Sequence, residues 1–385
     1  MRTRERDLRL DFCRGIALII IFIDHVPDNP LASCTLRNFA FCDAAEIFVL
    51  ISGIASYLAY GSLLERVGFL ECAKAVARRW VRVYLAHLLL FFTVAAFILM
   101  ASRHFPGADY LEWLKLKWLA DEPGKAILSA LTLSYLPRLL DILPLYLILL
   151  GFAPLVLFLV KRDYRLALLA SGTLYALTWT RGWNLTAGCA RDWYFDPFAW
   201  QFLYAIGMTI GHICHAAPDG PRWHARWLFA AVGFLVFAAL VTGPLSGNGI
   251  TEMAPLRYLS PDEKTFLSPL RLINVLALVY VFGFFVSPQA PWLKARVANL
   301  FLACGRHSLP IYGCGVVLSC VGYVLMNESG SKTMATWMVN FLGIAAMFSL
   351  AIALDRFGRR AHTATNIAAA PRRLTFATQS PTSVS

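Results

Sequence analysis

The feature that most constrains this chain is a series of long apolar segments that recurs along nearly its whole length. Of its 385 residues, 58% are hydrophobic and only 15% are charged. A run of about 20 apolar residues is long enough to cross the hydrocarbon core of a bilayer as a helix. The sequence therefore predicts an all-α, polytopic bundle of about ten membrane helices. The predicted segments are residues 10–26, 45–62, 83–101, 140–160, 166–180, 198–214, 227–243, 269–286, 303–326 and 335–354.

The charges between these segments predict how the bundle is oriented. Lys and Arg are about twice as frequent on the side of the N-terminus as on the other side, and cytoplasmic connections carry such an excess. We therefore expect both termini in the cytoplasm, which agrees with an even number of crossings. The same excess accounts for the net charge of +12, so membrane lipid is an expected partner and nucleic acid is not.

The chain divides into one large unit and a tail. Residues 1–355 are predicted to form the membrane domain. Residues 356–385 end in "ATQSPTSVS" and are predicted to form a disordered cytoplasmic tail. Of the long outer connections, 102–139 contains "YLEWLKLKWL", whose pattern predicts one amphipathic helix on the membrane surface, and 244–268 has the composition of an irregular loop.

The nine cysteines show no spacing typical of a metal site, and we predict no metal. Most of them lie in or beside apolar segments, where small hydrophobic residues belong. Cys34 and Cys42 share a predicted outer loop, but their spacing leaves a disulfide between them open. The small pair Ser52-Gly53 indicates close helix packing rather than a nucleophile.

The first apolar segment, "RGIALIIIFIDH", begins with an arginine and ends with a histidine. On an α-helix, Arg14 and His25 lie on one face about 16 Å apart, so they can line a single passage through the bundle. Charged groups in a bilayer are unfavourable unless they face partners or a cavity, which favours a functional pair. The alternative is that Arg14 extends to the headgroups while His25 caps the helix.

Three carboxylates are candidates to act with His25. Asp43 and Glu46 stand one turn apart at the start of the second segment, where a carboxylate can orient the imidazole and raise its basicity. Asp24 directly precedes His25 but points about 100° away from it on a helix. The alternative for Asp43 and Glu46 is a favourable interaction with the helix dipole.

Basic residues cluster before the third segment, in "ECAKAVARRWVRVYLAH". Arg78, Arg79 and Arg82 are candidates to hold the phosphates of a cytosolic, nucleotide-bearing cofactor, because arginine binds phosphate oxygens with a fork of N–H groups. The alternative is ordinary anchoring of a cytoplasmic helix end.

A second group of polar and aromatic residues is predicted on the outer side. Asp141 precedes "ILPLY", and Asp196 precedes a proline at the mouth of a helix, with Trp200 and Gln201 following. Together they are candidates to bind a sugar acceptor, because aromatic faces suit sugar rings. The alternative is an interfacial aromatic belt combined with helix caps.

Several stretches together resemble a known family. The stretch "RDLRLDFCRGIALIIIFIDHVPDNPLASCTLRNFAFCDAAEIFVLISG" is similar to the OpgC family, within the acyltransferase-3 superfamily of membrane acyltransferases. The resemblance spans nearly the whole chain up to about residue 355. Supporting stretches are "DILPLYLILL", "WYFDPFAWQFLYAIG", "SPLRLINVLALVY" and "GRHSLPIYGCGVVL".

The resemblance implies a ten-helix, acyl-CoA-dependent O-acyltransferase of the bacterial inner membrane. It implies transfer of an acyl group, succinyl in this family, from cytoplasmic acyl-CoA to hydroxyls of a periplasmic glucan or related surface polysaccharide. It also implies that His25 is the catalytic histidine and that Arg14 contacts the donor, with His25 acting either as a base or as an acyl carrier. The chain departs from the family pattern at Asn274, where histidine is common, and at Asp196, where asparagine is common, so the acyl group and the acceptor stay open.

A secondary transporter or flippase for a sugar or lipid-linked glycan is the alternative function, because intramembrane Arg, Asp and His also mark transport routes. Such transporters commonly consist of two related halves with broken helices, and the sequence shows no such symmetry. The sequence does not indicate an oligomeric state.

Overall fold

The computed structural model describes residues 7–188, 191–217, 221–242 and 264–369. Within these residues the chain is helical apart from short connections and one antiparallel pair of strands, β1 (Thr186–Ala187) and β2 (Arg191–Asp192). Short 3-10 helices lie at Pro30–Cys34, Leu36–Asn38 and Pro291–Lys294. The α-helices are α1 (Leu8–His25), α2 (Ala44–His104), α3 (Tyr110–Trp113), α4 (Lys117–Asp121), α5 (Pro123–Leu131), α6 (Ile142–Arg181), α7 (Pro197–Ala216), α8 (Ala225–Thr242), α9 (Pro269–Phe285), α10 (Arg296–Arg306), α11 (Ser308–Glu328) and α12 (Lys332–Ala369).

Five of the described helices are long and apolar enough to cross a membrane, namely α2, α6, α8, α11 and the Lys332–Gly358 part of α12. The prediction of an all-α membrane protein is therefore confirmed. Each predicted apolar segment coincides with helix over most of its length. The match is not one to one, because α2 and α6 each cover two predicted segments, whereas the segment 303–326 covers the end of α10 and most of α11, which are separated at His307.

Helix α2 consists of two helices that meet at Gly68. This glycine has a φ of 80°, a left-handed value that residues with a side chain rarely adopt. Cys72 Sγ lies 3.8 Å from the carbonyl oxygen of Tyr60, whereas a straight helix would separate these residues by about 18 Å. The chain therefore reverses at Gly68, and α2 accounts for two of the predicted segments.

Helix α6 also consists of two helices, joined at Asp163, where the backbone is extended. The Asp163 carboxylate accepts a hydrogen bond from the Arg165 amide at 2.8 Å and so caps the second helix. Both ends of α6 approach the turn Lys264–Leu267: Asp141, just before α6, lines the same cavity as Lys264, and Tyr175 donates a hydrogen bond to the Leu267 carbonyl at 2.8 Å. The chain therefore reverses here as well.

The predicted single amphipathic helix in "YLEWLKLKWL" is wrong. The structure has two short helices, α3 and α4, interrupted where Lys115 adopts a φ of 57°. The flanking Leu114 and Leu116 are fully buried in the protein. Their side chains pack into the protein core, so this segment does not present one continuous apolar face to lipid.

Small residues let the central helices approach closely. A Cβ on Gly15 of α1 would lie 2.0 Å from the carbonyl oxygen of Phe301 in α10, and a Cβ on Gly53 of α2 would lie 2.3 Å from the carbonyl oxygen of Tyr204 in α7. Both crossings therefore need glycine, because no side chain fits between the backbones. The interpretation of Ser52-Gly53 as a packing site is confirmed for Gly53.

The cysteines Cys34 and Cys42 do not form a disulfide. Both are free: Cys34 is exposed, whereas Cys42 is buried and its thiol donates a hydrogen bond to Asn274 Oδ1 at 3.0 Å.

Two predicted segments fall partly outside the described residues. Most of the predicted loop 244–268 lies outside them, and the described part, Lys264–Leu267, forms turns. The predicted tail begins within α12, which continues to Ala369, and residues 370–385 lie outside the described ones.

Candidate functional site

Two cavities lie next to each other along α1. The larger, of about 530 Å³, has His25 and Asp24 in its wall and is called the His25 cavity below. The smaller, of about 300 Å³, has Arg14 in its wall and is called the Arg14 cavity. Arg14 and His25 therefore line two cavities rather than one continuous passage.

The two cavities share three wall residues, Ile21, Ile142 and Tyr312. Ile21 lies on α1 between the two polar ends of the predicted motif, and Ile142 begins α6. Tyr312 on α11 is held in place because its hydroxyl donates a hydrogen bond to the Leu139 carbonyl at 2.7 Å. The two cavities therefore adjoin each other at a shared wall that includes these three side chains.

His25 is the last residue of α1, and its ring nitrogen Nδ1 makes no hydrogen bond to any residue that the structure describes. Nδ1 is buried and has no hydrogen-bond partner among the described residues. Buried polar atoms are usually paired, so an unpaired nitrogen in a residue that lines a cavity makes His25 a candidate functional residue. A neutral imidazole with a free nitrogen can accept a proton or attack a carbonyl carbon.

The carboxylates predicted to orient His25 have other partners. Asp43 and Glu46 form a capping box at the start of α2, in which the Ala45 amide donates to Asp43 Oδ1 at 2.8 Å and the Asp43 amide donates to Glu46 Oε2 at 2.9 Å. This geometry agrees with the alternative interpretation, in which both acids act at the N-terminus of the helix, and their contacts form a capping box. Asp43 still lines the His25 cavity, whereas Glu46 is fully buried behind it.

Two cations complete this cluster. Arg271 of α9 donates to Glu46 Oε1 at 2.6 Å and to Asp43 Oδ2 at 3.1 Å. Lys264, in the turn before α9, contacts the same Asp43 oxygen at 2.5 Å. Burial alone would raise the pKa of Asp43, but these two cations outweigh burial and hold that pKa well below its usual range. The cluster therefore pairs two acids with two bases.

Asp24 lines the His25 cavity without contacting the imidazole. Its carboxylate accepts a hydrogen bond from the Thr35 hydroxyl at 2.7 Å and lies 3.8 Å from Arg37 Nε. Asp24 thus fixes the loop that follows α1, which agrees with the direction expected for adjacent residues on a helix.

Of the predicted phosphate-binding arginines, Arg79 lines the Arg14 cavity together with Tyr60 and Tyr146. Arg78 and Arg82 are exposed on the same helix and lie outside the walls of both cavities. Arg14 itself lies 3.8 Å from Asp11, one turn away. The Arg14 cavity therefore has two guanidinium groups at its wall.

The predicted acceptor site is only partly supported by the geometry. Asp141 lines the His25 cavity. Trp200 and Asp196 are fully buried: Trp200 Nε1 donates to the carbonyls of Lys264 and Thr265, and Asp196 caps α7 through the Phe198 amide at 3.0 Å. These contacts hold backbone in place rather than form a cavity wall.

Gln201 likewise has a structural partner. Its side chain bonds to the hydroxyl and the carbonyl of Ser171 in α6, at 2.5 and 2.9 Å, and it lines neither cavity. Asn274, the other position that departs from the family pattern, is fully buried, and its amide oxygen accepts the hydrogen bond from Cys42.

The His25 cavity has an aromatic wall that the sequence did not single out. Trp118, Tyr135, Tyr194 and Phe195 line it, and they come from α4, the loop before α6, and the segment between β2 and α7. Trp118 packs edge-on to Tyr135, with ring centroids 5.1 Å apart. Aromatic rings on a polar cavity suit the apolar faces of sugar rings, so these residues replace Trp200 as candidates for acceptor binding.

Lys264 and Arg271 were also missed as members of the site. For Arg271 a signal exists: it lies in the first turn of α9, where a cation opposes the helix dipole and so requires an acidic partner. For Lys264 none exists, because its partner Asp43 is 221 residues away in the sequence.

The fold and the two cavities define a helical membrane protein with a half-buried imidazole on the wall of an aromatic cavity, which adjoins a second cavity lined by two arginines. A family model described as OpgC protein matches residues 6–359, so this chain belongs to the OpgC family. Membership indicates an acyltransferase that acts on periplasmic glucans. No curated protein and no solved structure matches the chain.

Proposed function

We propose that this protein transfers an acyl group from acyl-CoA on the cytoplasmic side to hydroxyls of a periplasmic glucan, with succinyl as the acyl group. The observation that supports this most is the shared wall of Ile21, Ile142 and Tyr312, because it puts a cavity lined by two arginines directly beside the aromatic cavity that His25 lines. The donor would enter through the Arg14 cavity and the glucan through the His25 cavity. Only the acyl group then has to pass the wall.

The proposal includes ten crossings of the bacterial inner membrane with both termini in the cytoplasm. Helices α2 and α6, each reversed at a joint, would cross twice. This arrangement puts the exposed Arg78 and Arg82 beside the cytoplasmic mouth of the Arg14 cavity, where they would bind the phosphates of CoA. Arg14 and Arg79 would bind the donor farther in.

His25 can take part in the transfer by either of two mechanisms. As a general base, it removes the proton from a glucan hydroxyl, the oxygen attacks the thioester carbonyl, and the C–S bond breaks to release CoA, which takes up the proton. As a nucleophile, His25 attacks the thioester itself and releases CoA thiol, and a glucan hydroxyl then takes the acyl group from the imidazole. In both routes a nitrogen of the His25 imidazole performs the first step.

The experiment uses the purified protein in detergent with succinyl-CoA and a linear or cyclic glucan. We expect glucan-dependent release of CoA and acylated glucan by mass spectrometry. His25→Ala should lower the rate of glucan-dependent CoA release by at least about 100-fold. His104→Ala is the matched control, because His104 is exposed and bonds only to a backbone carbonyl of its own helix.

Absence of acylated glucan with the native protein, or full activity of His25→Ala, would overturn the proposal. Movement of a glycan across proteoliposomes without release of CoA would instead support the transporter or flippase alternative. A stable acyl-protein formed without glucan, and lost in His25→Ala, would select the nucleophilic route.

A further inference from the structure

Lys264 differs from the other cations of the His25 cavity in how deeply it lies. Its side chain is 20% exposed, whereas the side chain of Arg37 is 52% exposed, and Lys115, Lys117 and Arg138 are exposed residues. Burial alone would lower the pKa of Lys264, but the carboxylates of Asp43 and Glu46 outweigh burial and raise that pKa. The amine therefore keeps its charge in a place with little water to screen it.

The turn that carries Lys264 is fixed by hydrogen bonds from α6, α7 and the residue before α7. The indole of Trp200 on α7 donates to the Lys264 and Thr265 carbonyls at 3.2 and 3.1 Å. The Asp196 amide donates to the Thr265 carbonyl at 3.1 Å, and the Tyr175 hydroxyl of α6 donates to the Leu267 carbonyl at 2.8 Å. The backbone is therefore held in place before any ligand binds.

The amine itself is fixed on three sides. Asp43 Oδ2 holds it at 2.5 Å, and it lies over the rings of Phe195 and Tyr194, 5.2 and 5.8 Å from their centroids. An ammonium group has three N–H donors, and Asp43 accounts for one of them. Lys264 lines the same cavity as His25, and its positive charge acts on the imidazole.

We propose that Lys264 binds the carbonyl oxygen of the acyl group while negative charge develops on it. This inference rests on the proposed acyl transfer. When an oxygen or nitrogen nucleophile attacks the thioester carbonyl, the C=O double bond becomes a C–O⁻ single bond. The oxygen then re-forms the C=O bond as the C–S bond breaks, and the electron pair leaves on the CoA sulfur, which takes up the proton. A fixed cation in a poorly hydrated site stabilises that intermediate without reorganising at the moment of reaction.

Asp43 then acts as a positioning residue. It holds the ammonium group against the cavity wall, while Arg271 and Glu46 balance the remaining charges of the cluster. This assigns a role to the conspicuous acids at the start of α2 that does not require contact with His25.

The test compares variants of Lys264 with the native protein by steady-state kinetics and by thermal unfolding in detergent. Lys264→Met should lower kcat by about 100-fold with little change in the KM for the donor or for the glucan. Lys264→Met alone also leaves Asp43 with one cation fewer. The double variant Lys264→Met with Asp43→Asn restores the charge balance, so we expect it to recover the melting temperature but not kcat.

A merely structural role for Lys264 predicts the opposite for the double variant, namely recovery of kcat together with the melting temperature. That result would overturn the inference. Lys264→Arg should keep more activity than Lys264→Met, because it retains the charge. Lys125→Met is the control, since this exposed lysine of α5 pairs only with Glu122 and should leave kcat unchanged.

Two donors separate this role from recognition of the acyl chain. Lys264→Met should lose the same factor with succinyl-CoA and with butyryl-CoA, because both have the thioester carbonyl. A loss confined to succinyl-CoA would mean that Lys264 binds its free carboxylate, and would overturn the inference. If the native protein transfers no acyl group, the proposed function is wrong. If the native protein transfers the acyl group and Lys264→Met does so at the same rate, only the proposed role of Lys264 is wrong.

Discussion

The carboxyl group of Asp141 lies directly before α6 on the wall of the His25 cavity. Burial raises its pKa to about 6, against the opposing effect of the nearby Lys264 and Lys115. If the ionised carboxylate accepts a hydrogen bond from a glucan hydroxyl, kcat/KM for the glucan should fall as the pH drops through about 6. Asp141→Asn should raise the KM about tenfold and remove this acidic limb from the pH profile.

Asp163→Asn serves as the control for this profile, because Asp163 is exposed and lies at the other end of the first helix of α6. It should retain the acidic limb. An unchanged limb in Asp141→Asn would show that another group causes it.

The raised pKa of Asp141 also makes the stability of the folded protein depend on pH. A carboxyl whose pKa is higher in the folded than in the unfolded chain binds its proton more tightly when folded, so stability is lost as the pH rises through about 6. Asp141→Asn should therefore melt at a higher temperature than the native protein at pH 8, and this difference should vanish near pH 4.

At the level of residues, local patterns predicted only part of the site. Arg14 and His25 follow from their spacing on one helix, and the place of Asp43 and Glu46 at a helix N-terminus was one of the two interpretations considered. Trp200 was misassigned because an aromatic residue near a helix mouth can face either a cavity or the protein core, and its own sequence context does not distinguish the two. Lys264 was missed because its partner is brought close only by the tertiary fold.

At the level of helices, the crossing of α1 and α10 depends on the absence of side chains. Gly15→Ala should force the two backbones apart, because the new Cβ would lie 2.0 Å from the Phe301 carbonyl oxygen. We expect a loss of roughly 1–3 kcal/mol in the free energy of unfolding, together with lower activity, since Arg14 is the adjacent residue. Thermal unfolding in detergent and the CoA-release assay measure the two effects.

Gly233→Ala on α8 is the matched control, because nothing lies within 4 Å of a Cβ at that position. It should change the free energy of unfolding by less than about 1 kcal/mol. Equal melting temperatures of Gly15→Ala and the native protein would show that α1 and α10 are not packed this closely.

Helix positions were predictable to a useful extent because apolar length is encoded locally, whereas helix joints were not. The reversal at Asp163 lies between two predicted segments, as consecutive crossings require, but nothing in "KRDYR" indicates which residue forms the joint. The break in "YLEWLKLKWL" depends on the burial of Leu114 and Leu116, which helical spacing alone assigns to a membrane-facing stripe. Both features are decided by packing partners far away in the sequence.

At the level of the whole molecule, the proposed function requires the His25 cavity to open on the glucan side of the membrane. Cys34 tests this, because it is exposed in the loop after α1, close to that cavity, whereas the other free cysteines of the described residues are buried or half-buried. Cys189 lies outside the described residues, so the experiment starts from Cys189→Ser. In intact spheroplasts, a membrane-impermeant maleimide should label Cys34 of this variant.

Adding Cys34→Ser should abolish that labelling. Adding Arg66→Cys to the cysteine-depleted double variant should give a thiol that reacts only after the membrane is permeabilised, because Arg66 is exposed just before the reversal at Gly68, at the opposite end of that helix from Asp43. The reverse pattern, with the thiol at position 66 labelled in spheroplasts and Cys34 protected, would put the His25 cavity on the cytoplasmic side. Periplasmic glucan could not then reach His25, and the proposed direction of acyl transfer would be wrong.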